Sequence, residues 1–425
     1  MFLRKAMLSA FAFMLVPFTA SCGTSNSQSD EKPDEKPVIA QDVDYGASDY
    51  MKISPASNAL GFELVKQVDP DDQGNIFLSP ASIFMALSLA YNGADGTTQS
   101  DMAAVMNIGE ISLEEFNKAN ASLLAAIHRS SEDIVLNVAN AMWINNKHQF
   151  QNTFAEQTGD YFNAETEAID INDPDSADEI NRWVQQATND HIKQIVEPPL
   201  DPSTVALLVN AIYFNGKWMH EFDPKDTKTE TFHFPDGSEK DHEFMLLQEE
   251  LSYFEHEDFQ AVTLPYGVGE VSMNIILPKA HINLDAFIAK ISGDAWNKWQ
   301  DQFKSREGTL KLPKFKVDYE TSLVEPLQKL GMTAAFQPEK AEFPHMIEDH
   351  ASLFISDVMH KTYINVNEEG TEAAGVTSVE ITETSATVGQ PFEMMVNKPF
   401  LITITDNDTG ANLFIGAIKN PKETN

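Results

Sequence analysis

The chain has 425 residues, 42% hydrophobic and 22% charged, the composition of a folded protein with length enough for a large core. Its 65 acidic against 29 basic residues give a formal charge of −36, which excludes general affinity for nucleic acid or for anionic membrane surfaces. One cysteine, Cys22, excludes an intrachain disulfide framework and a cysteine-based metal site.

Arg4 and Lys5 precede an apolar run at 6–18, broken by Ser9 and Pro17 and too short to span a bilayer comfortably. Small residues follow in Thr19-Ala-Ser-Cys22, so 1–21 reads as a secretory signal peptide. Its end resembles a bacterial lipobox, in which the cysteine is lipidated and becomes the first mature residue. Thr19 stands where leucine is usual, and an ordinary signal peptide with an incidental cysteine is the alternative. Residues 22–49 then read as lipidated Cys22 and a flexible acidic and polar tether, with Asp-Glu-Lys-Pro repeated at 30–33 and 34–37. The expected location is outside the cytoplasm, lipid-anchored to a bacterial membrane, or secreted.

Residues 50–425 read as one domain. A helix over 54–68 carries Ala56, Leu60, Phe62, Leu64 and Val65 near helical spacing. Asn75-Ile-Phe-Leu is a short strand, and Ser79-Pro80 starts a helix, because proline suits the first helical turn. Ser112-Leu-Glu-Glu115 is a capping box for a helix to about His128. A buried strand spans 134–144, and a helix is expected over 178–194, with Ile180, Trp183, Val184, Ala187 and His191 along one side. The run from Leu207 to Trp218 is almost continuously apolar, so both faces of that strand should be covered.

A hairpin is expected around Gly267 and Gly269, a helix capped by Asn283, and one strand over 310–316 with alternating lysines. Gly331 should end a short helix at 323–330, and the last hairpin turns at 406–410. No repeat of fixed period appears, which argues against a solenoid. Helices and strands mix without strict βαβ order, which predicts an α+β fold.

The stretch 367–389 differs from the rest. It lies between strand-like runs and has neither a helical period nor an ordinary turn. Thr371, Ala373, Gly375, Thr377, Val379 and Ile381 would share one strand face and are uncharged; the other face carries Glu372 and Glu380. A loop written as a buriable strand is a candidate two-state element.

Glu368-Glu-Gly-Thr-Glu-Ala-Ala-Gly-Val376 resembles the reactive-loop hinge of the serpin family. Asn397-Lys-Pro-Phe400, Leu413-Phe-Ile-Gly416 and Asn420-Pro421 resemble the segments after that loop, and the runs at 75–98 and 207–218 match upstream ones. The resemblance covers about 50–421. It implies a large central mixed β-sheet with two further sheets, about eight or nine helices and an exposed reactive loop near the C-terminus.

It further implies a suicide-substrate protease inhibitor. The protease would be trapped as a covalent acyl-enzyme when the cleaved loop enters the central sheet, a known mode of strand addition. The hinge would be Glu368, Glu369, Gly370, Thr371, Glu372, Ala373, Ala374, Gly375 and Val376. The reactive bond would join Thr384 to Ser385, with neighbours from Ile381 to Val388 as alternatives. Ser79, Ser82, Asn210 and His360 would lie where the sheet opens, with Glu368 and Lys314 paired at its top beside Trp218. For His360 and Asn210 the alternative is static satisfaction of core polar groups, and for Trp218 ordinary core packing.

Between Thr371 and Val396 there is no lysine or arginine, which argues against a trypsin-like target. Thr, Ser, Ala and Val suit elastase-like or subtilisin-like serine proteases. Glu383 leaves a glutamate-specific protease open, and papain-like cysteine proteases are a further option. The sequence holds no G-x-S-x-G, no H-E-x-x-H and no Walker loop, so neither an enzyme nor a metal or cofactor site is expected. The expected partner of this monomer is a target protease. The rival readings are a non-inhibitory serpin acting as a surface-anchored binding protein, and a solute-binding lipoprotein, which would need a two-lobed α/β pattern.

Overall fold

The computed structural model describes residues 39–349, 353–371 and 390–422. Cys22, Glu372, Ala373, Ala374, Gly375, Val376, Thr384 and Ser385 lie outside the described residues.

The helix Pro80–Gly93 shows how sequence places the core. The Ser79 side chain caps it by accepting from the Ser82 N–H, and Pro80 opens its first turn. Every residue of this helix is buried, the behaviour of a helix apolar on all sides. It lies against one face of the central sheet and against Asn412–Ile418 of the second sheet.

Among the described residues the central sheet has seven strands. Phe315–Ser322, Asp357–Val366, Gly370–Thr371, Ala206–Lys217 and Ile134–Asn145 lie in that order, with Arg129–Ser130 and Glu165–Ile169 both on Ile134–Asn145. It is mixed: Asp357–Val366 runs parallel to Ala206–Lys217, and Glu165–Ile169 parallel to Ile134–Asn145. Its outer face carries the helix Ser176–Ala187, whose Ile180 and Val184 form a small core with Ala141, Trp143, Leu207, Val209 and Ala211. The strand Ala206–Lys217 is therefore covered on both faces, as its apolar run requires.

Among the described residues the remaining nine strands form one hydrogen-bonded sheet, eight along a single path and Lys228–His233 branching from it. The two further sheets run into one another through the long strand Glu239–Glu255, which pairs with Lys228–His233 near its start, with Lys304–Pro313 over ten residues, and with Phe259–Tyr266 at its end. Nine α-helices occur among the described residues. Ser112 caps Leu113–Ile127 and Asn283 caps Leu284–Ile288, each through the N–H three residues on. Gly331, at φ +116°, ends Val324–Leu330.

Three expectations are corrected. The helix expected over 178–194 stops at Ala187, because Asn189 and Asp190 turn left-handed at φ +49° and +68°. Asn and Asp tolerate that region better than other side chains, so the break is local chemistry. The strand expected over 310–316 is two strands in different sheets, Lys304–Pro313 and Phe315–Ser322. Lys314 is the crossover: its N–H still donates to the Glu243 carbonyl of the first sheet at 2.9 Å, and the next residue, Phe315, pairs with Val366 of the central sheet. Residues 39–49, counted with the tether, lie on the domain: Ile39 is buried, and Val43 and Tyr45 rest on the core.

Candidate functional site: the parting strands of the central sheet

Two neighbouring parallel strands touch at their N-terminal ends and part toward their C-terminal ends. Asp357 to Lys361 pair in register with Leu207 to Ala211. Five residues further on, Thr371 lies between Val366 and Gly216 and pairs with both. The chain reaches that position by a tight reversal. The Asn367 carbonyl oxygen of the side chain accepts from the backbone N–H groups of Glu369 (2.9 Å) and Gly370 (3.2 Å). The Asn367 N–H in turn donates to the Gly370 carbonyl at 3.0 Å. A short amide that bonds the backbone ahead of it is a recurrent turn device.

Gly370 is required by close approach. A Cβ there would fall 2.1 Å from the Gly216 carbonyl oxygen, a backbone atom that cannot swing aside. Gly370 and Thr371 are thus strand within the sheet, and Thr371 is buried.

Several groups hold this end of the sheet. Glu368 meets Lys314 at 3.3 Å and accepts from the Thr227 hydroxyl at 2.8 Å. Lys314 sits where the chain passes from one sheet to the other, and it also meets Glu243 at 3.3 Å. Burial opposes the Lys314 charge, but the Glu368 and Glu243 carboxylates outweigh it and hold its pKa above the ordinary lysine value. Glu369 lies near Glu221, whose carboxyl pKa is raised by burial and by that like charge.

Trp218 stacks on Tyr266 with centroids 4.3 Å apart, and its indole N–H donates to the Asn367 carbonyl at 2.9 Å. The backbone N–H groups of Trp218 and Phe222 donate to the Glu369 and Glu368 carbonyls. Trp218 therefore does more than fill the core: it clamps the reversal from which the loop departs. The Tyr266 hydroxyl meets the Thr371 hydroxyl at 2.7 Å, and burial drives the Tyr266 pKa far up, so this phenol stays neutral.

Where the strands still touch, a polar row crosses three of them. His360 is opposite Asn210, and Asn210 is opposite Asn140. The Ser79 N–H donates to His360 Nε2 at 3.1 Å, which leaves the proton on Nδ1. That nitrogen faces the Asn210 side-chain oxygen at 3.0 Å. The Asn210 amide donates to the Asn140 side-chain oxygen at 2.7 Å, to the Ser82 carbonyl at 3.1 Å and to the Ser82 hydroxyl. Burial alone pushes the His360 pKa down to about 3. A base needs a pKa near the working pH, so this imidazole is suited to holding strands and helix together, not to moving protons.

Among the sequence-predicted residues, then, Ser79, Ser82, Asn210 and His360 form one cluster at the closed end of the strand pair. Glu368, Glu369, Gly370, Thr371, Trp218 and Lys314 form another at the parted end. Sequence reasoning missed Tyr266, Thr227 and Asn367 and gave Asn140 no role. Asn367 carried a usable signal, an asparagine between a strand and Gly370. Tyr266 and Thr227 carried none, because their contacts lie 105 and 141 residues away in the chain.

The family described as Serpin (serine protease inhibitor) matches residues 55–421. A serpin-like protein of Methanosarcina acetivorans is 32% identical, over 87% of this chain and 86% of its own length. Glia-derived nexin of Rattus norvegicus is 33% identical, over 89% of this chain and 96% of its own. Among solved structures, the thermophilic serpin Tengpin in its native state is similar at a TM-score of 0.81 and 32% identity, covering 89% of this chain and 96% of that one. Human thyroxine-binding globulin in complex with its hormone is similar at a TM-score of 0.80 and 25% identity, covering 88% and 100%. With the family match running over nearly all of the domain that holds the parting strands, this chain belongs to the serpin family.

Proposed function

We propose that this serpin is a suicide-substrate inhibitor of an elastase-like or subtilisin-like serine protease, with a papain-like cysteine protease as the other candidate target. The reading rests on one observation above all: Gly370 and Thr371 already occupy the space between two strands that part, so the chain beyond them has a slot to continue into. In this reading the protease nucleophile attacks the Thr384 carbonyl, the Ser385 amine leaves, and Thr384 becomes the acyl group of a covalent complex. The freed segment after Thr371 then enters as a full strand and carries the acyl-enzyme with it. Each new backbone hydrogen bond contributes about 0.5–1.5 kcal/mol net. Burial of Val379 and Ile381 contributes roughly 1.5–3 kcal/mol each.

In this reading the protein works as a monomer, without cofactor or nucleic acid. Cys22 carries the lipid that tethers it outside a bacterial cell, and that lipid is its sole membrane contact. The similarity to thyroxine-binding globulin supports a second reading, a non-inhibitory serpin that serves as an anchored binding protein. The test is to mix the chain lacking residues 1–37, which keeps Ile39, Val43 and Tyr45 on the core, with elastase, subtilisin, papain and trypsin. An SDS-resistant complex with release of a fragment starting at Ser385 is the expected result. Clean cleavage with no complex for any protease would leave the binding reading in place.

A further inference from the structure

Two residues beyond the last direct pair, Lys361 with Ala211, each parting strand carries a tyrosine, Tyr363 on one and Tyr213 on the other. Both are half-buried and alternate with the buried Thr362 and Ile212, so they stand on the outer face of the sheet. The His191 ring lies against both. Its centroid is 4.7 Å from that of Tyr213, at an interplanar angle of 20°, and 5.9 Å from that of Tyr363, at 35°. Lys316 of the next strand places its ammonium 5.1 Å from the Tyr363 ring centre.

The position of His191 is built, not incidental. Helix Ser176–Ala187 breaks at the left-handed Asn189 and Asp190, which turn the chain back over the sheet. The Thr188 hydroxyl donates to the Val184 carbonyl at 2.8 Å and accepts from the Ile192 N–H at 3.0 Å. The Asn181 side chain accepts from the Ile195 and Val196 N–H groups, and Ile192 and Ile195 are buried in the small outer core. The ring is therefore carried on a segment fixed from both sides.

We propose that His191 is a latch across the two strands, a brake on strand entry that rests on the insertion reading above. At Lys361 and Ala211 the strands are direct neighbours, and at Val366 and Gly216 one strand separates them. Full entry of a further strand carries the tyrosine level to the wider spacing, since neighbouring strands lie about 4.8 Å apart. A ring anchored from behind, stacked on Tyr213 and tilted against Tyr363, cannot follow both tyrosines, so one contact must break before entry is complete. An aromatic contact of this kind corresponds to a factor of about three to ten in rate.

The test needs no protease. A synthetic peptide with the sequence of residues 371–384 is added to the intact chain, and its uptake is timed by the gain in thermal stability and by native electrophoresis. His191→Ala and, should that variant fold poorly, Tyr363→Leu are expected to take up the peptide about three- to tenfold faster. His191→Phe, which keeps the stacked ring, is expected to stay within about twofold of the unaltered chain. Uptake by His191→Ala at the unaltered rate, or His191→Phe as fast as His191→Ala, overturns the latch. Absence of uptake in every variant overturns it too, because removing the brake then releases nothing. Accelerated uptake in a chain that forms no covalent complex with any protease would uphold the latch and remove the inhibitor reading instead.

Discussion

Thr371 and Tyr266 share a buried hydroxyl-to-hydroxyl hydrogen bond of 2.7 Å, and this bond holds Thr371 in its place between two strands of the central sheet. Among the described residues the buried Thr371 is paired with Gly216 and Val366 and bonded to the neutral Tyr266 phenol, none of which supplies a counter-charge. Thr371→Glu would bury an unpaired carboxylate, at a cost of several kcal/mol. The expected outcome is loss of the SDS-resistant complex with cleavage of the loop retained. Tyr266→Phe is milder, leaving one hydroxyl unpaired at about 1 kcal/mol. Amide hydrogen exchange at Thr371 should then speed up about fivefold, and an unchanged rate would show that the bond does not hold the hinge.

Gly370→Ala should unseat the same two residues by a different route. The added methyl would fall 2.1 Å from the Gly216 oxygen and 2.8 Å from Lys217 Cα, both backbone atoms, so relief requires the rung itself to open. Protection of the Gly370 and Thr371 amides should fall together, while the clusters around His360 keep theirs. If both amides stay protected, Gly370 is not where the chain's close approach limits side chains.

His360 makes stability depend on pH in one direction. Its folded pKa lies near 3, below the ordinary histidine value of 6.5, so the unfolded chain binds the extra proton first. Stability is then complete above about pH 6.5 and declines as pH falls toward 3, by a total on the order of 5 kcal/mol. His360→Gln keeps a donor and an acceptor but cannot titrate. Denaturant midpoints measured from pH 7 to pH 4 should fall more steeply for the unaltered chain than for this variant; parallel curves would refute the assignment.

What could be read from the sequence follows the range of the interactions. Caps and turns are local, so Ser79, Ser112, Asn283 and Gly331 marked helix ends without any structure. The apolar run from Leu207 to Trp218 announced a strand covered on both sides, because burial of both faces leaves no alternation. The Lys314 break was harder, since alternating lysines on both sides of Pro313 look like one strand until two sheets claim them. His191 was placed on a helix because its spacing fits, whereas two left-handed residues before it redirect the chain. The partners Tyr266, Thr227 and Asn140 depend on strand register across the sheets, which no local pattern encodes. The hinge motif was legible, but the entry of Gly370 and Thr371 between two strands is a tertiary fact.

The reactive bond can be tested by rewriting its specificity. In the proposed reading Thr384 supplies the side chain that the protease pocket receives, and no cation lies between Thr371 and Val396 to suit an acidic pocket. Thr384→Arg would supply one, because trypsin-like enzymes select a basic residue through a buried aspartate. The variant should gain a covalent complex with trypsin and lose most of its complex with elastase, and the released fragment should begin at Ser385. The arginine lies thirteen residues beyond Thr371, so the length of strand available for insertion is unchanged and the substitution alters recognition alone. Trypsin cleavage after residue 384 without a complex would separate the two halves of the proposal: the site would be accessible, but the chain ahead of it would not enter the sheet fast enough to trap the acyl-enzyme. A complex with elastase that persists undiminished would instead move the bond elsewhere within 381–388.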